Sequence, residues 1–244
     1  MKKVFLRPSV KIFNTIGITL PFVFVMLFFM ACGNDSATTS TTSTAPVQSE
    51  SPKEKESEEV TKKKSIVFFG NSLTAGYGLD PEQSFVYLIQ QKLKEIGLPY
   101  QTVNAGLSGE TTAGGNSRID WILRQPIDVF VLELGGNDGL RGIDPTASFK
   151  NLQSIIDKVK KKYPEAKILL AGMEAPPNMG TKFTSEFREM YPKLAQVNET
   201  QLIPFLLDKV GGIPELNQPD GIHPTAKGNE IIAETIWKYL QPML

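Results

Sequence analysis

The sequence predicts an α/β domain in which a parallel sheet is covered by helices on both faces. Three observations support this class. Strand-like and helix-like segments alternate from residue 65 to the C-terminus, the strand-like segments are short and almost continuously apolar, and several run into glycine. Such runs are typical of strands buried on both faces, which occur in parallel sheets. In these sheets the binding site forms in loops at the carboxyl ends of the strands.

The first half of the domain is predicted to contain three strands and two helices. The run "SIVFFG" (65–70) is apolar and ends in glycine, as a buried strand would. The segment 84–97 carries apolar side chains at helical spacing and stops at Gly97. The other predictions here are strands at 100–106 and 128–138 and a short helix at 116–125.

The second half is predicted to contain two strands and three helices. The helix at 144–164 has Asp144 as a cap candidate, Pro145 at its first turn and lysines at its end, which suits the helix dipole. The remaining predictions, in order, are a strand at 166–172, a helix at 185–199 with a local defect at Pro192, a strand at 201–207 and a closing helix at 227–240.

Composition excludes some function classes. The 26 basic and 26 acidic residues balance, so nothing indicates the basic face that nucleic-acid binding needs. The single cysteine, Cys32, cannot form an intrachain disulfide. Residues 65–244 are numerous enough for one domain with a full core, and we expect that domain to be a monomer.

The N-terminal segment predicts export to the cell envelope. Residues 1–31 combine a basic start, a long uncharged apolar run and a small residue before Cys32, which is typical of a signal peptide. The position of Cys32 resembles a bacterial lipobox, so we expect it to be lipidated and to anchor the chain in a membrane. An uncleaved helical anchor is the alternative, because the run approaches the ~20 residues that span a bilayer. Both place the domain outside the cytoplasmic membrane.

The segment behind Cys32 is predicted to be a disordered linker. Residues 33–64 are dominated by serine, threonine, glutamate and lysine and contain almost no large apolar residue. Such a segment cannot bury enough apolar surface to offset the entropy of ordering it. The predicted organisation is therefore a signal at 1–31, a lipidated cysteine and linker at 32–64, and a domain at 65–244.

Three predicted loops after strands carry residues suited to acyl chemistry. Ser72 follows Gly70 at the end of the first strand, where its hydroxyl could be a nucleophile or only a helix cap. Gly109 lies in a small-residue loop where a backbone N–H can approach a ligand, although it could be an ordinary turn glycine. Asn137 follows two glycines, and its side-chain amide could donate to an oxyanion or simply form a turn.

The segment "DGIHP" (220–224) contains the only histidine of the chain, His223. Asp220, three residues before it, could accept from one ring nitrogen and leave the other as a base. A solvent-exposed loop histidine is the alternative. A metal site is not expected, because the domain holds no further histidine or cysteine to complete it.

Four blocks in this order resemble the SGNH (GDSL-type) hydrolase family across residues 65–244: "GNSLTAGYGL", "VNAGLSGETT", "ELGGNDGLRG" and "DGIHP". With "YPKLA" (191–195), the third is similar to the bacterial multifunctional thioesterase/arylesterase/lysophospholipase branch. The resemblance implies a flavodoxin-like three-layer α/β/α fold with a five-stranded parallel sheet. It also implies a serine hydrolase that needs no cofactor or metal.

The resemblance assigns roles to individual residues. It implies Ser72 as nucleophile, His223 as general base and then acid, and Asp220 as the orienting carboxylate. It implies Ser72, Gly109 and Asn137 as the oxyanion hole. The family usually has aspartate before the serine, whereas this chain has Asn71.

The expected activity is hydrolysis of carboxylic esters or thioesters with short to medium acyl, aryl or lysophospholipid groups. The loop "MEAPPNMG" (173–180) could line an acyl channel, because methionine adapts to varied apolar shapes. A surface connection without substrate contact is the alternative for this loop. A carbohydrate O-acetyl esterase and a non-catalytic membrane-tethered binding module are the alternatives for the function.

Overall fold

The computed structural model describes residues 63–244, in which the first strand begins at Lys64. This start lies one residue inside the predicted linker. The predicted signal at 1–31, the lipidation site Cys32 and the linker up to residue 62 lie outside the described residues. Within the part that is described, no helix combines the length and the apolarity needed to cross a membrane.

A parallel sheet of five strands organises the domain, as predicted. The strands are β1 (Lys64–Gly70), β2 (Tyr100–Gly106), β3 (Val129–Glu133), β4 (Lys167–Ala171) and β5 (Gln201–Ile203). Their spatial order is β2-β1-β3-β4-β5, and every neighbouring pair is parallel. The chain reverses its direction of winding between β1 and β3, and such a reversal opens a crevice at the carboxyl ends of those two strands.

In residues 63–244, seven α-helices surround the sheet. They are α1 (Ser72–Ala75), α2 (Phe85–Glu95), α3 (Thr112–Ile122), α4 (Gly136–Leu140), α5 (Pro145–Lys162), α6 (Thr181–Asn198) and α7 (Ala226–Leu240). Helix α2 packs against α7, whereas α3, α5 and α6 pack side by side. Connections between parallel strands are nearly always right-handed, so the reversal of winding places these two groups on opposite faces of the sheet. The predicted three-layer α/β/α class is confirmed.

Two strands end earlier than the apolar runs predicted. Strand β3 ends at Glu133 rather than residue 138, because Gly135 adopts a φ of 118° and turns the chain into α4. Strand β5 ends at Ile203 rather than residue 207, because Pro204 has no N–H to give to a ladder. Apolar runs alone mark burial, and they do not show where a strand gives way to a buried turn.

Two helices begin earlier than predicted. Helix α3 starts at Thr112 rather than residue 116, because the Thr111 hydroxyl caps it by accepting from the Gly114 N–H. Gly115 lies inside this helix because a Cβ there would come within 2.3 Å of Leu134 Cδ1. Helix α6 starts at Thr181 rather than residue 185 and continues through Pro192.

The core fixes the sheet edge on which the site is built. All six residues from Ser65 to Gly70 are buried, and so is the whole of β3. The rings of Phe69 and Phe130 stack across β1 and β3 with centroids 5.6 Å apart. Each such ring contributes roughly 2–3 kcal/mol by leaving water, so the two strands that carry the site loops are held firmly.

Candidate active site

Ser72 occupies the first position of α1, directly above the end of β1. The Asn71 side chain caps this helix by accepting from the Leu73 N–H, and Gly76 ends it at a φ of 72°. A Cβ at Gly106 of the neighbouring strand would lie 2.2 Å from the Ala75 nitrogen, so only glycine lets α1 sit against β2. The serine is therefore held on a tight strand-to-helix turn, as the motif predicted.

Asp220 and His223 lie in a turn that leads to α7. The Gln218 N–H donates to the His223 carbonyl at 2.7 Å and closes the loop. One oxygen of Asp220 accepts from the N–H groups of Ile222 and His223, at 2.9 and 3.0 Å. The backbone of the turn thus holds the Asp220 carboxylate in place independently of its contact with the imidazole ring.

The structure brings together the three side chains that the sequence singled out. His223 Nδ1 lies 2.6 Å from Asp220 Oδ2, and His223 Nε2 lies 2.9 Å from Ser72 Oγ. A carboxylate can only accept, so the Nδ1 proton points to Asp220 and Nε2 is left to accept from the serine hydroxyl. The Tyr77 ring covers the imidazole with a centroid distance of 4.5 Å.

Hydrogen bonding to the imidazole and to two backbone amides lowers the pKa of Asp220 to about 2. The carboxylate therefore stays ionised over the whole pH range in which an imidazole changes its charge. A permanent anion beside Nδ1 fixes one tautomer of the ring and stabilises the imidazolium that forms when Nε2 takes a proton.

The three predicted oxyanion donors belong to the start of α1, to the loop before α3 and to α4. The Ser72 and Gly109 N–H groups donate to no other group within residues 63–244. The Asn137 amide nitrogen donates to the Glu110 carbonyl at 2.9 Å, which leaves its second hydrogen for a ligand. Gly109 adopts a φ of 79°, a conformation that favours glycine. These donors have the type and the availability that an oxyanion requires.

A cavity of about 520 Å³ opens beside Ser72 and His223. Its walls are mostly apolar. Residues 173–177, which open the loop predicted to line an acyl channel, form one side, and Leu140, Phe205, Leu207 and Ile222 also contribute. The second half of that loop does not reach this cavity; Met179 and Gly180 face a separate surface depression. The size suits a small acyl or aryl group.

Comparison with known proteins decides the family. Residues 68–231 match the model of the GDSL-like Lipase/Acylhydrolase family, a range that contains all four sequence blocks. The chain belongs to this family. It is therefore an acyl ester hydrolase, and the resemblance read from the four blocks is confirmed.

Several relatives of this hydrolase cover most of its length. Esterase TesA of Pseudomonas aeruginosa is 39% identical over 74% of this chain and 89% of its own. Thioesterase 1/protease 1/lysophospholipase L1 of Escherichia coli K12 is 35% identical over 74% of this chain and 85% of its own. A crystal structure of TesA, also 39% identical, superimposes with a TM-score of 0.71 over 74% of this chain and all of its own.

Beneath Ser72 lies a buried carboxylate, Glu133, which opens the block "ELGGNDGLRG" but to which the sequence analysis assigned no role. Glu133 Oε1 accepts from the Asn71 side-chain amide at 2.8 Å, and Oε2 accepts from the Asn71 N–H and the Thr74 hydroxyl at 3.1 and 2.7 Å. Burial raises the pKa of Glu133 to about 7, although these hydrogen bonds oppose the shift. A charged residue within the apolar run "VFVLE" is the one signal that could have revealed it.

A second unpredicted group supports the glycine loop. The Glu110 carboxylate, 3% exposed, receives two hydrogen bonds of 2.5 Å from the Arg118 guanidinium. Arg118 also donates to the Ala105 carbonyl at the end of β2, and its guanidinium lies 4.2 Å from the centre of the Phe69 ring. Since the Glu110 carbonyl also holds Asn137, one residue links two of the three predicted oxyanion donors to the sheet.

No metal site accompanies this machinery in residues 63–244, where no group of three or more His, Cys, Asp or Glu side chains is arranged to hold an ion. The contacts of Ser72 and His223 make them a candidate nucleophile and a candidate base, and the available N–H donors form a candidate anion-binding pocket.

Proposed function

We propose that this chain is a serine hydrolase that cleaves carboxylic esters and thioesters through Ser72, His223 and Asp220. The observation that carries the proposal is the continuous hydrogen-bonded path from Asp220 through His223 to Ser72, with contacts of 2.6 and 2.9 Å. A serine hydroxyl is a weak nucleophile until a base removes its proton, and this path supplies the base in the required tautomer.

The first step forms an acyl-enzyme. Ser72 Oγ attacks the carbonyl carbon while His223 Nε2 takes the hydroxyl proton. The resulting oxyanion is stabilised by the Ser72 and Gly109 N–H groups and the Asn137 amide, and loss of one such donor costs about 10²–10³ in rate. The imidazolium then gives its proton to the leaving alcohol or thiol as the carbonyl re-forms.

The second step releases the acid. Water attacks the acyl-serine while His223 again takes the proton, and the same donors stabilise the second oxyanion. The imidazolium returns the proton to Ser72 Oγ as the acyl group departs. Asp220 stays ionised throughout and stabilises each imidazolium.

The apolar cavity supports short to medium acyl or aryl groups as the substrate side chain. Its volume of about 520 Å³ and its walls from residues 173–177 with Phe205 and Leu207 give an acyl chain a surface to bury against. The relatives named as an esterase and as a thioesterase and lysophospholipase support esters, thioesters and lysophospholipids as the candidate classes.

The mechanism is tested on the full chain with a fluorophosphonate probe and with p-nitrophenyl butyrate. We expect labelling at Ser72 and loss of both labelling and turnover in Ser72→Ala. Ser117→Ala is the matched control, since that exposed hydroxyl bonds only the Ala113 carbonyl. Turnover that persists in Ser72→Ala would disprove the proposed nucleophile.

A substrate panel distinguishes the proposed function from the two alternatives, a carbohydrate O-acetyl esterase and a non-catalytic binding module. A carbohydrate O-acetyl esterase would hydrolyse acetylated sugars faster than butyryl or octanoyl esters. A binding module would turn over no ester, and His223→Ala would then change nothing. The apolar walls of the cavity favour the acyl ester class over the sugar class.

We further propose that Cys32 is lipidated and tethers the hydrolase to the outer face of the cytoplasmic membrane or beyond it. The basis is the sequence pattern of a basic start, an apolar run and a small residue before the cysteine. Metabolic labelling with a fatty acid should mark the full chain and not Cys32→Ser. Absence of label from both proteins, with both still in the membrane fraction, would favour the uncleaved helical anchor.

A further inference from the structure

Asn71 forms hydrogen bonds with the residue after the proposed nucleophile and with Glu133 beneath it. Its Oδ1 accepts from the Leu73 N–H at 2.9 Å, and its Nδ2 donates to Glu133 Oε1 at 2.8 Å. Its own N–H donates to Glu133 Oε2 at 3.1 Å. The backbone N–H groups of the residues before and after Ser72 are therefore both bonded, while the Ser72 N–H is left available.

The hydrogen bond between Asn71 and Glu133 does not depend on a proton shared between two carboxyl groups. An amide always has hydrogens to donate, so it satisfies an ionised Glu133 as it stands. An aspartate at this position, usual in the family, would place two carboxyl groups about as close. Such a pair must retain one proton between its members, and losing that proton at high pH leaves two buried anions in contact.

We propose that Asn71 is a positioning residue whose side-chain amide holds the Ser72 loop to Glu133 without a shared proton, so that the site keeps its geometry at alkaline pH. This inference rests on the proposed function for its activity readout. Asn71 acts through the position of Ser72 and contacts no reacting atom itself.

The groups around the pair are consistent with this behaviour. Tyr191 of α6 donates to the Leu134 carbonyl, and its pKa is raised well above its usual range by burial and by the nearby Glu133 and Asp138 carboxylates. Asp138 of α4 is buried and bonded to Thr112 and Ser148. From α3, Arg118 contacts the Gly70 carbonyl at 3.4 Å. In the turn before α7, His223 bonds to Ser72 and Asp220 bonds to His223.

The test compares wild type and Asn71→Asp from pH 7.5 to 10.5, using the full chain and p-nitrophenyl butyrate. We expect kcat of Asn71→Asp, taken relative to wild type at the same pH, to fall at least tenfold across this range. KM should change less than threefold, because Asp and Asn have nearly the same shape and the apolar walls of the cavity are unchanged. Asn116→Asp adds the same charge at a half-buried site beside Lys158 and should follow wild type.

The double variant Asn71→Asp/Glu133→Gln reverses the polarity of the contact. The introduced glutamine would donate to the introduced aspartate through its amide. Its oxygen would still accept from the backbone N–H at position 71 and from the Thr74 hydroxyl. We therefore expect kcat of the double variant at alkaline pH to stay within threefold of the wild-type value. A merely structural role for Asn71 would predict that two substitutions are worse than one.

Thermal melts of the same variants in a Ser72→Ala background give a readout that does not need catalysis. The melting temperature of Asn71→Asp should fall more steeply with pH than that of its parent, and the double variant should restore the parent slope. Asn71→Asp that follows wild type in both readouts overturns the inference, and so does a double variant that fails to rescue. If Asn71→Asp does not fold at any pH, a folded double variant supports the inference and an unfolded one overturns it.

Discussion

One imidazole can serve both steps of the proposed hydrolysis because the two carboxylate oxygens of Asp220 accept hydrogen bonds from different partners. One of its oxygens holds the turn through the N–H groups of Ile222 and His223, and the other holds the ring nitrogen at 2.6 Å. The same side chain therefore sets both the backbone that carries His223 and the tautomer of its ring.

Asp220→Asn should separate these two tasks. The asparagine oxygen can still accept from the turn, but its NH₂ group would face Nδ1 and force the proton onto Nε2, where it cannot accept from Ser72. We expect kcat to fall by about 10²-fold or more with KM changed less than threefold, since a wrong tautomer costs up to about 10⁴ in such triads. Steady-state kinetics with p-nitrophenyl butyrate measures this, and a variant that keeps a third of the wild-type kcat would contradict it.

At the residue scale, the sequence predicted the residues whose chemical role is typical of a motif. It did not predict the residues whose role depends on a contact with a distant part of the chain. Ser72, Gly109, Asn137, Asp220 and His223 each lie in a short recognisable block. Glu133 opens the third block, but it is 62 positions from Asn71, and its role appears only when parallel pairing sets Gly70 opposite Glu133. No local pattern encodes that proximity.

Helix α3 connects the glycine loop to the sheet through the nearly buried Glu110–Arg118 pair. Breaking a buried pair leaves one uncompensated charge and typically costs about 3–5 kcal/mol. An exposed pair between α3 and α5, Asp120 with Lys158, has a contact of 3.1 Å and an aspartate side chain that is 69% exposed. Such surface pairs contribute roughly 0–1 kcal/mol.

Glu110→Ala should therefore lower both the free energy of unfolding and the rate. We expect a loss of about 3 kcal/mol in chemical denaturation and at least a tenfold fall in kcat, because the loop that carries Gly109 and holds Asn137 loses its anchor. Asp120→Ala, the control on α3, should stay within about 0.5 kcal/mol of wild type. Equal effects of the two substitutions would show that the pair does not support the loop.

The connection from β4 to α6 sets the size of the acyl cavity in the proposed function. Ala175 lines the cavity and lies close to Gly139 of α4. Ala175→Trp should fill this space, so kcat/KM for octanoyl esters should drop at least tenfold while that for acetyl esters changes less than threefold. Unchanged selectivity between the two chain lengths would place the acyl group elsewhere.

Element boundaries were predictable where a cap and a proline coincide, and they were missed where only one of the two is present, as at Thr111 before α3 and Pro204 after β5. The predicted start of α5 at Asp144 and Pro145 agrees with the structure, since its cap bond is local. Helices α1 and α4 were not predicted, because each is at most five residues long and lies inside a run that reads as strand or loop. Those two short helices carry Ser72 and Asn137.

Over the whole molecule, two carboxyl groups give the stability of the fold opposite dependences on pH. Asp220 has a pKa of about 2 against an ordinary value of 3.8, so its contribution is complete above pH 3.8 and is lost as the pH falls through about 2. Glu133 has a pKa of about 7 against an ordinary value of 4.5. Its contribution is complete below pH 4.5 and is lost as the pH rises through about 7.

The Glu133 effect can be isolated by measuring Glu133→Gln beside wild type at each pH. Between about pH 4.5 and 7 the native state binds more protons than the unfolded chain, so the free energy of unfolding of wild type falls with pH relative to the variant. The full shift corresponds to about 3 kcal/mol. Glu133→Gln cannot ionise at this position, so the difference in unfolding free energy between the two proteins should decline across this window and stay level above pH 8.

Chemical denaturation of the full chain at half-unit pH steps measures this difference in unfolding free energy. A difference that is constant from pH 4 to 8 would mean that Glu133 ionises as an ordinary carboxyl and that the loop beneath Ser72 is open to water.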